Sequence, residues 1–494
     1  MGEFVVLPIV SISLFLPVAG AAIILALRRS RGEIVHGIGI FISVLVLLGS
    51  LAIWAKGISS GGFSQVEQID WMPSIGASYR VGVDGISLPL ILLTAVLFFL
   101  SFIFSSKVKD RPHAYVVLML LLETASIGTF TALDGILFYV FFEVSLVSMY
   151  FMIAGWGHED RQRAALMFFL YTLLGSLPLL LAILALYLGS EPHTFDMRVW
   201  IANPPLTGMA AMLALVGMLF TFAVKTPVFP LHTWLPAAHV QAPTTGSVLL
   251  AGVMLKFGAY GLIRFALQMT PDAFREIGVA VLAFGVFSAL YGAFAALAQS
   301  DLKRMVAYTS INHMGYVVAG VAIAAISTDT AIRATALDGA VLQMVSHGVV
   351  TGALFFLVGM LDDRAHTREM ERFGGLLKYV PFLGWSFVLA AFASLGLPGL
   401  AHFPAEFQIF LATLREEPAA LVMILGIVIT AGLYLRAIGK VFFGEPNEQW
   451  AGMETLNTLE VLTLAPLLIL IILIGVAPSW LLGTIHQTTM SLHY

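Results

Sequence analysis

Cysteine is missing from the chain altogether. That excludes disulfides, thiolate zinc sites and ordinary iron–sulfur ligation, so any redox centre the system uses lies in another chain. Charge is scarce too: Asp, Glu, Lys and Arg make up 11% of the 494 residues, against about 25% in a soluble domain. The net charge of −4 and the lack of any basic block leave no surface that could track nucleic-acid phosphates, and no nucleic-acid partner is expected. Neither a G-x-x-x-x-G-K-[ST] string nor a strand-borne G-x-G-x-x-G occurs, which argues against ATP-driven transport and dinucleotide binding by this chain.

What the chain has instead is apolar length. Hydrophobic residues make up 59% and the mean hydropathy is +0.94, the signature of a polytopic membrane protein. A bilayer-spanning helix needs about 20 largely apolar residues. On that ruler the spans fall at 5–27, 34–55, 85–105, 114–132, 135–154, 164–188, 208–230, 244–268, 278–298, 306–326, 336–360, 379–413, 419–443 and 459–482, fourteen in all. The first does not read as a signal peptide, because its basic residues, Arg28, Arg29 and Arg31, follow the apolar run instead of preceding it.

Positive charge after the first span places the N-terminus outside. Sixteen Lys and Arg then fall on inner connections and helix ends and seven on outer ones, which with two intramembrane lysines account for all 25. Both termini are expected outside, in a bacterial inner membrane. The longest outer connection, 56–84, carries an alternating run at "SYRVGVDG" that suggests a small hairpin.

Two spans carry breakers. Span seven has Pro227, Pro230 and Pro236; span twelve has Gly396, Pro398, Gly399 and Pro404. Proline removes a backbone donor and clashes with the preceding turn, and a membrane tolerates the break only where the freed backbone faces protein or a water-filled cavity. The two spans lie five apart, which points to two inverted five-helix repeats, helices 4–8 and 9–13, meeting at a transport site. The chain then divides into an N-terminal three-helix segment (1–112), the repeats (113–268 and 269–443) and a C-terminal helix (444–494).

Ionisable residues inside these spans are the strongest functional signal. Each Lys or Asp at a helix centre costs about 2.5–3.5 kcal/mol on insertion, yet Glu123, Glu143, Lys225, Lys256, His347 and Glu406 all fall near mid-membrane, with His232, His239 and His313 nearer to helix ends or breaks. They are expected to face each other, water or protein. A Glu143–Lys225 couple would hold both partners charged, and separating it would free a proton. Lys256, His347 and Glu406 would continue the row toward the second broken helix. No metal site is expected: His232 and His239 have no carboxylate or thiolate to complete one. Asp84, Asp134 and the run 157–163 read as solvated helix ends.

The strings "YRVGVDGISLPLILLT", "LDGILFYVFFEVSLVSMYFMIAGWG", "FAVKTPVFPLHTWLPAAHVQAP", "LLAGVMLKFGAYGLIRF" and "LAQSDLKRMVAYTSINHMGYV" closely resemble the antiporter-like membrane subunits of proton-pumping NADH:quinone oxidoreductase (respiratory complex I), in particular the M-type, or chain 4, branch. The resemblance covers nearly the whole chain. It implies fourteen helices with two inverted repeats and one proton channel, as part of a translocase whose redox chemistry lies elsewhere. No cofactor is implied in this chain; FMN and iron–sulfur clusters belong to partner subunits. The implied partners are L- and N-type neighbours in the membrane arm, together with lipids, water and protons.

Carried over by position, the resemblance assigns the glutamate of helix five to Glu143, the broken-helix lysine to Lys225 and the connecting lysine to Lys256. The histidine bridging toward the exit becomes His347 and the terminal group of helix twelve Glu406; His232 and His313 also match family positions. L-, N- and Mrp-type subunits usually carry lysine at the terminal position, so Glu406 favours the M-type. The chain's stop at Tyr494, with no long lateral helix, disfavours the L-type. One departure is visible: Ala405 stands before Glu406 where glycine is usual, next to an unusual "HFP". The alternatives are an Mrp-type Na+/H+ antiporter subunit and a membrane subunit of a hydrogenase- or ferredoxin-linked relative.

Overall fold

The protein is described from a computed structural model covering residues 8–27, 30–59, 62–492 and 494. Arg28 and Arg29, two of the charges that orient the first span, lie outside the described residues, as do residues 5–7 at its expected start. Among the described residues thirteen helices are long and apolar enough to cross a membrane. The remaining span, the twelfth, is made of Pro381–Ser394 and His402–Glu416, each too short to cross alone. The protein is an integral multi-pass membrane protein of the all-α class.

Spans one to six are Ile9–Ala26, Gly32–Lys56, Ser87–Ser105, Pro112–Thr131, Gly135–Trp156 and Arg161–Gly189; spans nine to eleven are Pro271–Leu297, Leu302–Ile326 and Thr330–Ala365. Spans eight, ten and eleven are wrapped almost completely by protein, whereas the windows of spans one, two, six and nine are less than half buried. A helix apolar all round and buried all round belongs at the centre of a large assembly. The ionisable groups of spans eight, ten and eleven therefore sit where lipid cannot reach.

Span seven runs over Gly208–Lys225, breaks, and resumes as Trp234–Gln241. Pro227 has no N–H to continue the ladder, so the chain finds other donors. The Val228 amide donates to Ala223 O at 2.7 Å, the Trp234 indole to Val224 O at 2.9 Å, and the Phe229 amide to Ser288 Oγ at 2.8 Å. Each freed group is thus satisfied by protein, as burial requires.

Span twelve breaks in the same way. The Leu397 amide reaches five residues back to Phe392 O at 3.2 Å, ahead of Pro398. Gly396 and Gly399 hold φ of +77° and +89°, a region that costs L-residues about 1–2 kcal/mol. Both interruptions fall in the fourth helix of a five-helix run.

Span eight, Thr244–Leu267, departs from the unbroken α-helix the sequence suggests. It contains two π-helical stretches, Leu250–Met254 and Leu262–Leu267. The last span stops at Val476 instead of running to 482, and a separate helix, Ser479–Thr489, follows Pro478. Proline at that point ends the hydrogen-bond ladder.

The outer connection forms the expected hairpin, β1 (Ser64–Met72) against antiparallel β2 (Ala77–Val83). It is fastened by charge. Asp134 is fully buried, caps span five by accepting from the Ile136 and Leu137 amides, and takes the Ser78 amide of β2 at 3.0 Å. Burial pushes its carboxyl up from the usual carboxylate range, while these hydrogen bonds and the Arg80 guanidinium oppose the shift. Arg80 also meets Asp196 at 3.4 Å, and Asp196 holds Arg198 at 2.7 Å. Asp84, at the start of span three, is buried in an ion pair with the equally buried Arg264. The reading of Asp84 and Asp134 as solvated helix ends is therefore corrected: each fastens an outer segment to a helix end.

Candidate functional site

Lys256 comes two residues after the first π-helical stretch of span eight. The widened turn presents the Ala251 carbonyl to its ammonium, which donates to it, while Nζ lies 2.7 Å from Nδ1 of His347 on span eleven. π-turns are rare and recur at functional positions. Here one lets a lysine end on a carbonyl and an imidazole in the fully buried middle of the protein.

Beyond His347 the polar groups continue without a gap larger than one ring. The His347 ring lies 5.8 Å from that of His313 and 6.2 Å from that of His402, nearly parallel to the latter at 4°. His313 and His402 meet edge to face at 4.4 Å. Glu406 Oε1 is 3.3 Å from His313 Nδ1 and 3.8 Å from His402 Nδ1, and it accepts from Gln343 Nε2 at 3.2 Å. Ser394, at the end of the first half of span twelve, steadies both rings: its Oγ is 3.1 Å from His313 Nε2 and its carbonyl 3.3 Å from His402 Nδ1. The Ser394 hydroxyl also lies 2.8 Å from the Tyr434 hydroxyl.

Lys225 is the last residue of the first half of span seven, and its environment is aromatic. Its Nζ sits 4.7 Å from the Phe142 ring centre, 5.9 Å from Phe257 and 6.0 Å from Phe168, and it has no hydrogen-bond partner among the described residues. Ring faces attract an ammonium but do not replace a counter-ion. Glu143 is the opposite charge that acts on Lys225, yet no ion pair joins them among the described residues, and Glu143 Oε1 is unpartnered. The couple expected from the sequence is thus open in this structure. Glu143 is half-buried beside exposed Val140, Val144 and Val147, so it reaches the lateral surface of the protein.

The family model described as "NADH:quinone oxidoreductase/Mrp antiporter, TM" matches residues 132–432. The chain belongs to that family. Its matched segment holds both broken spans and every candidate residue expected from the sequence except Glu123. NADH-quinone oxidoreductase subunit M of Rickettsia prowazekii is 38% identical over 496 residues, 98% of this chain and 99% of that one. The subunit of the same name from Rhodobacter capsulatus is 37% identical over 95% and 93% of the two chains. Among solved structures, a chain of respiratory complex I from Thermus thermophilus superposes with a TM-score of 0.87 at 31% identity, over 98% of this chain and 100% of that one. A chain of the Mrp complex from Dietzia shares the fold alone, with a TM-score of 0.82 at 23% identity over 97% of this chain and 52% of that one.

Within this antiporter-family fold the remaining candidates stand apart from the Lys256–Glu406 row. His232 lies in the break of span seven, with Nε2 at 3.2 Å from the Tyr291 hydroxyl. His239 stacks on Phe355 at 4.7 Å, with neither ring nitrogen partnered among the described residues. Glu123 is fully buried, and neither carboxyl oxygen has a partner among the described residues. Sequence reasoning missed His402, Ser394, Gln343 and Tyr434. His402 had a signal: it precedes Glu406 by four residues, which puts both on one face of a helix.

Proposed function

We propose that the chain carries protons across a bacterial inner membrane as the M-type antiporter-like subunit of an NADH:quinone oxidoreductase. The observation that carries this reading is the Lys256–His347 contact. Two basic nitrogens 2.7 Å apart share one N–H between them, carried either by the lysine or by the imidazole, and either nitrogen can take up a further proton. Moving that proton along the bond passes it from span eight to span eleven. His347 Nε2 has no partner among the described residues, and a water there would link it to His313 and on to Glu406.

Lys225 and Glu143 act at the other end of the row. An ammonium among three rings releases its proton more readily than one beside a carboxylate, so closing and opening the Glu143–Lys225 couple loads and unloads Lys225. Glu143 reaches the lateral surface, where an L- or N-type neighbour of the membrane arm covers it and sets the position of that couple. His232, beside Tyr291, serves water access at the break. Redox partners carrying FMN and iron–sulfur clusters supply the driving energy; this chain holds no cofactor. Glu406, where Mrp-type subunits carry lysine, favours the M-type reading over the antiporter.

The test is Lys225→Ala in the purified, assembled complex, reconstituted in vesicles. Proton pumping should vanish and quinone reduction should slow, with subunit content unchanged. Normal pumping in an assembled variant refutes the assignment. Orientation is read separately: a single cysteine introduced into this cysteine-free chain in the β1–β2 hairpin should be labelled only from outside the cell.

A further inference from the structure

Span twelve resumes with His402, and one turn later comes Glu406. Their shared helix face meets His313 of span ten. One nitrogen from each imidazole and one carboxylate oxygen lie within 4.8 Å of one another, all three residues buried. We propose that His313, His402 and Glu406 form a binding site for a divalent transition-metal ion of the zinc type, and that an ion held there arrests proton passage. The second half of this proposal rests on the role given above to Glu406.

The distances fit such an ion. Bonds of about 2.0–2.2 Å in tetrahedral geometry set ligand atoms roughly 3.3 Å apart. His313 Nδ1 and Glu406 Oε1 are 3.3 Å apart, and a His402 nitrogen lies within 4.8 Å of a nitrogen of His313 and an oxygen of Glu406. Two imidazoles and a carboxylate, with a fourth position open, make a donor set that suits zinc, cobalt or nickel. It is too poor in oxygen for calcium.

The surrounding groups orient these ligands as a metal site requires. A metal-binding imidazole hands its other N–H to a nearby acceptor. Ser394 Oγ stands 3.1 Å from His313 Nε2; when Nε2 donates its N–H to that hydroxyl, the Nδ1 lone pair faces Glu406. The Ser394 carbonyl stands 3.3 Å from His402 Nδ1, and His402 Nε2 is buried without a partner among the described residues. Gln343 donates to the carboxylate. Lys256 is engaged by His347 at 2.7 Å.

A Cβ built on Gly396 would come within 2.6 Å of Glu406 Oε2, so the carboxyl lies directly under a turn whose Leu397 is exposed. An ion bound here takes up the lone pairs on which a proton would move between the histidines and Glu406.

The test uses the purified whole complex with the native chain, His402→Phe and His402→Gln, the second in case the larger change prevents assembly. Each is incubated with zinc chloride, passed through gel filtration and counted for zinc by mass spectrometry. Vesicle proton pumping is titrated with zinc and scaled to each variant's own zinc-free rate. Both variants should retain one zinc fewer per complex, and their half-inhibiting zinc concentration should rise at least about tenfold. Equal zinc content in native and variant complexes overturns the site. A zinc difference without any inhibition of pumping upholds the site but overturns the arrest, and with it the role given to Glu406.

Discussion

Lys256 and His347 are joined nitrogen to nitrogen at 2.7 Å across two helices that are buried along their whole membrane windows. The contact is useful only if the lysine can give up a proton. Lys256→Arg keeps positive charge and length, but a guanidinium stays protonated under all ordinary conditions. Pumping should fall in Lys256→Arg by at least about tenfold, equivalent to roughly 1.4 kcal/mol in a barrier. Retention of the native pumping rate in reconstituted vesicles would show that the ammonium acts as fixed charge.

Gly396 and Gly399 permit a controlled comparison. Alanine at either position pays the same left-handed backbone penalty, about 1–2 kcal/mol, but only at Gly396 does the new Cβ meet Glu406, whereas nothing lies within 4 Å at Gly399. Gly396→Ala should therefore lower pumping well below Gly399→Ala at similar thermal stability. Equal activity in the two would remove Glu406 from the site.

The buried Asp84–Arg264 pair should behave as a unit. Removing one partner leaves an unpaired buried charge, worth about 3–5 kcal/mol. Asp84→Asn or Arg264→Gln alone should deplete this subunit from purified complex, and the double change should restore much of it. The readout is subunit content by quantitative mass spectrometry, arranged as a double-mutant cycle.

Trp234→Phe keeps the ring and deletes one N–H, leaving the Val224 carbonyl without its indole donor. A buried polar group so abandoned costs about 1–3 kcal/mol. The melting temperature of the complex should drop. An unchanged value would mean that another donor takes over at the break.

The span count, the hairpin and both interruptions were legible in the sequence because each follows from a local rule: apolar length, period-two alternation, and proline's missing donor. Lys256, His347, His313 and Glu406 were legible as intramembrane ionisable residues, and the structure brings all four together. The π-turns were not, since Leu250–Met254 is an apolar stretch whose register no composition rule distinguishes from an α-helix. Asp84 and Asp134 were misread because a helix-end carboxylate looks the same in sequence whether water or an arginine covers it. The open Glu143–Lys225 couple was invisible for a related reason: sequence gives partners, and packing gives separation.

Because the indole of Trp234 already occupies the Val224 carbonyl, the discontinuity in span seven belongs to the resting fold and needs no thermal opening. Rehydration or re-pairing of the lysine at its edge can proceed with the main chain standing still, and side-chain reorientation alone can set the speed of that step.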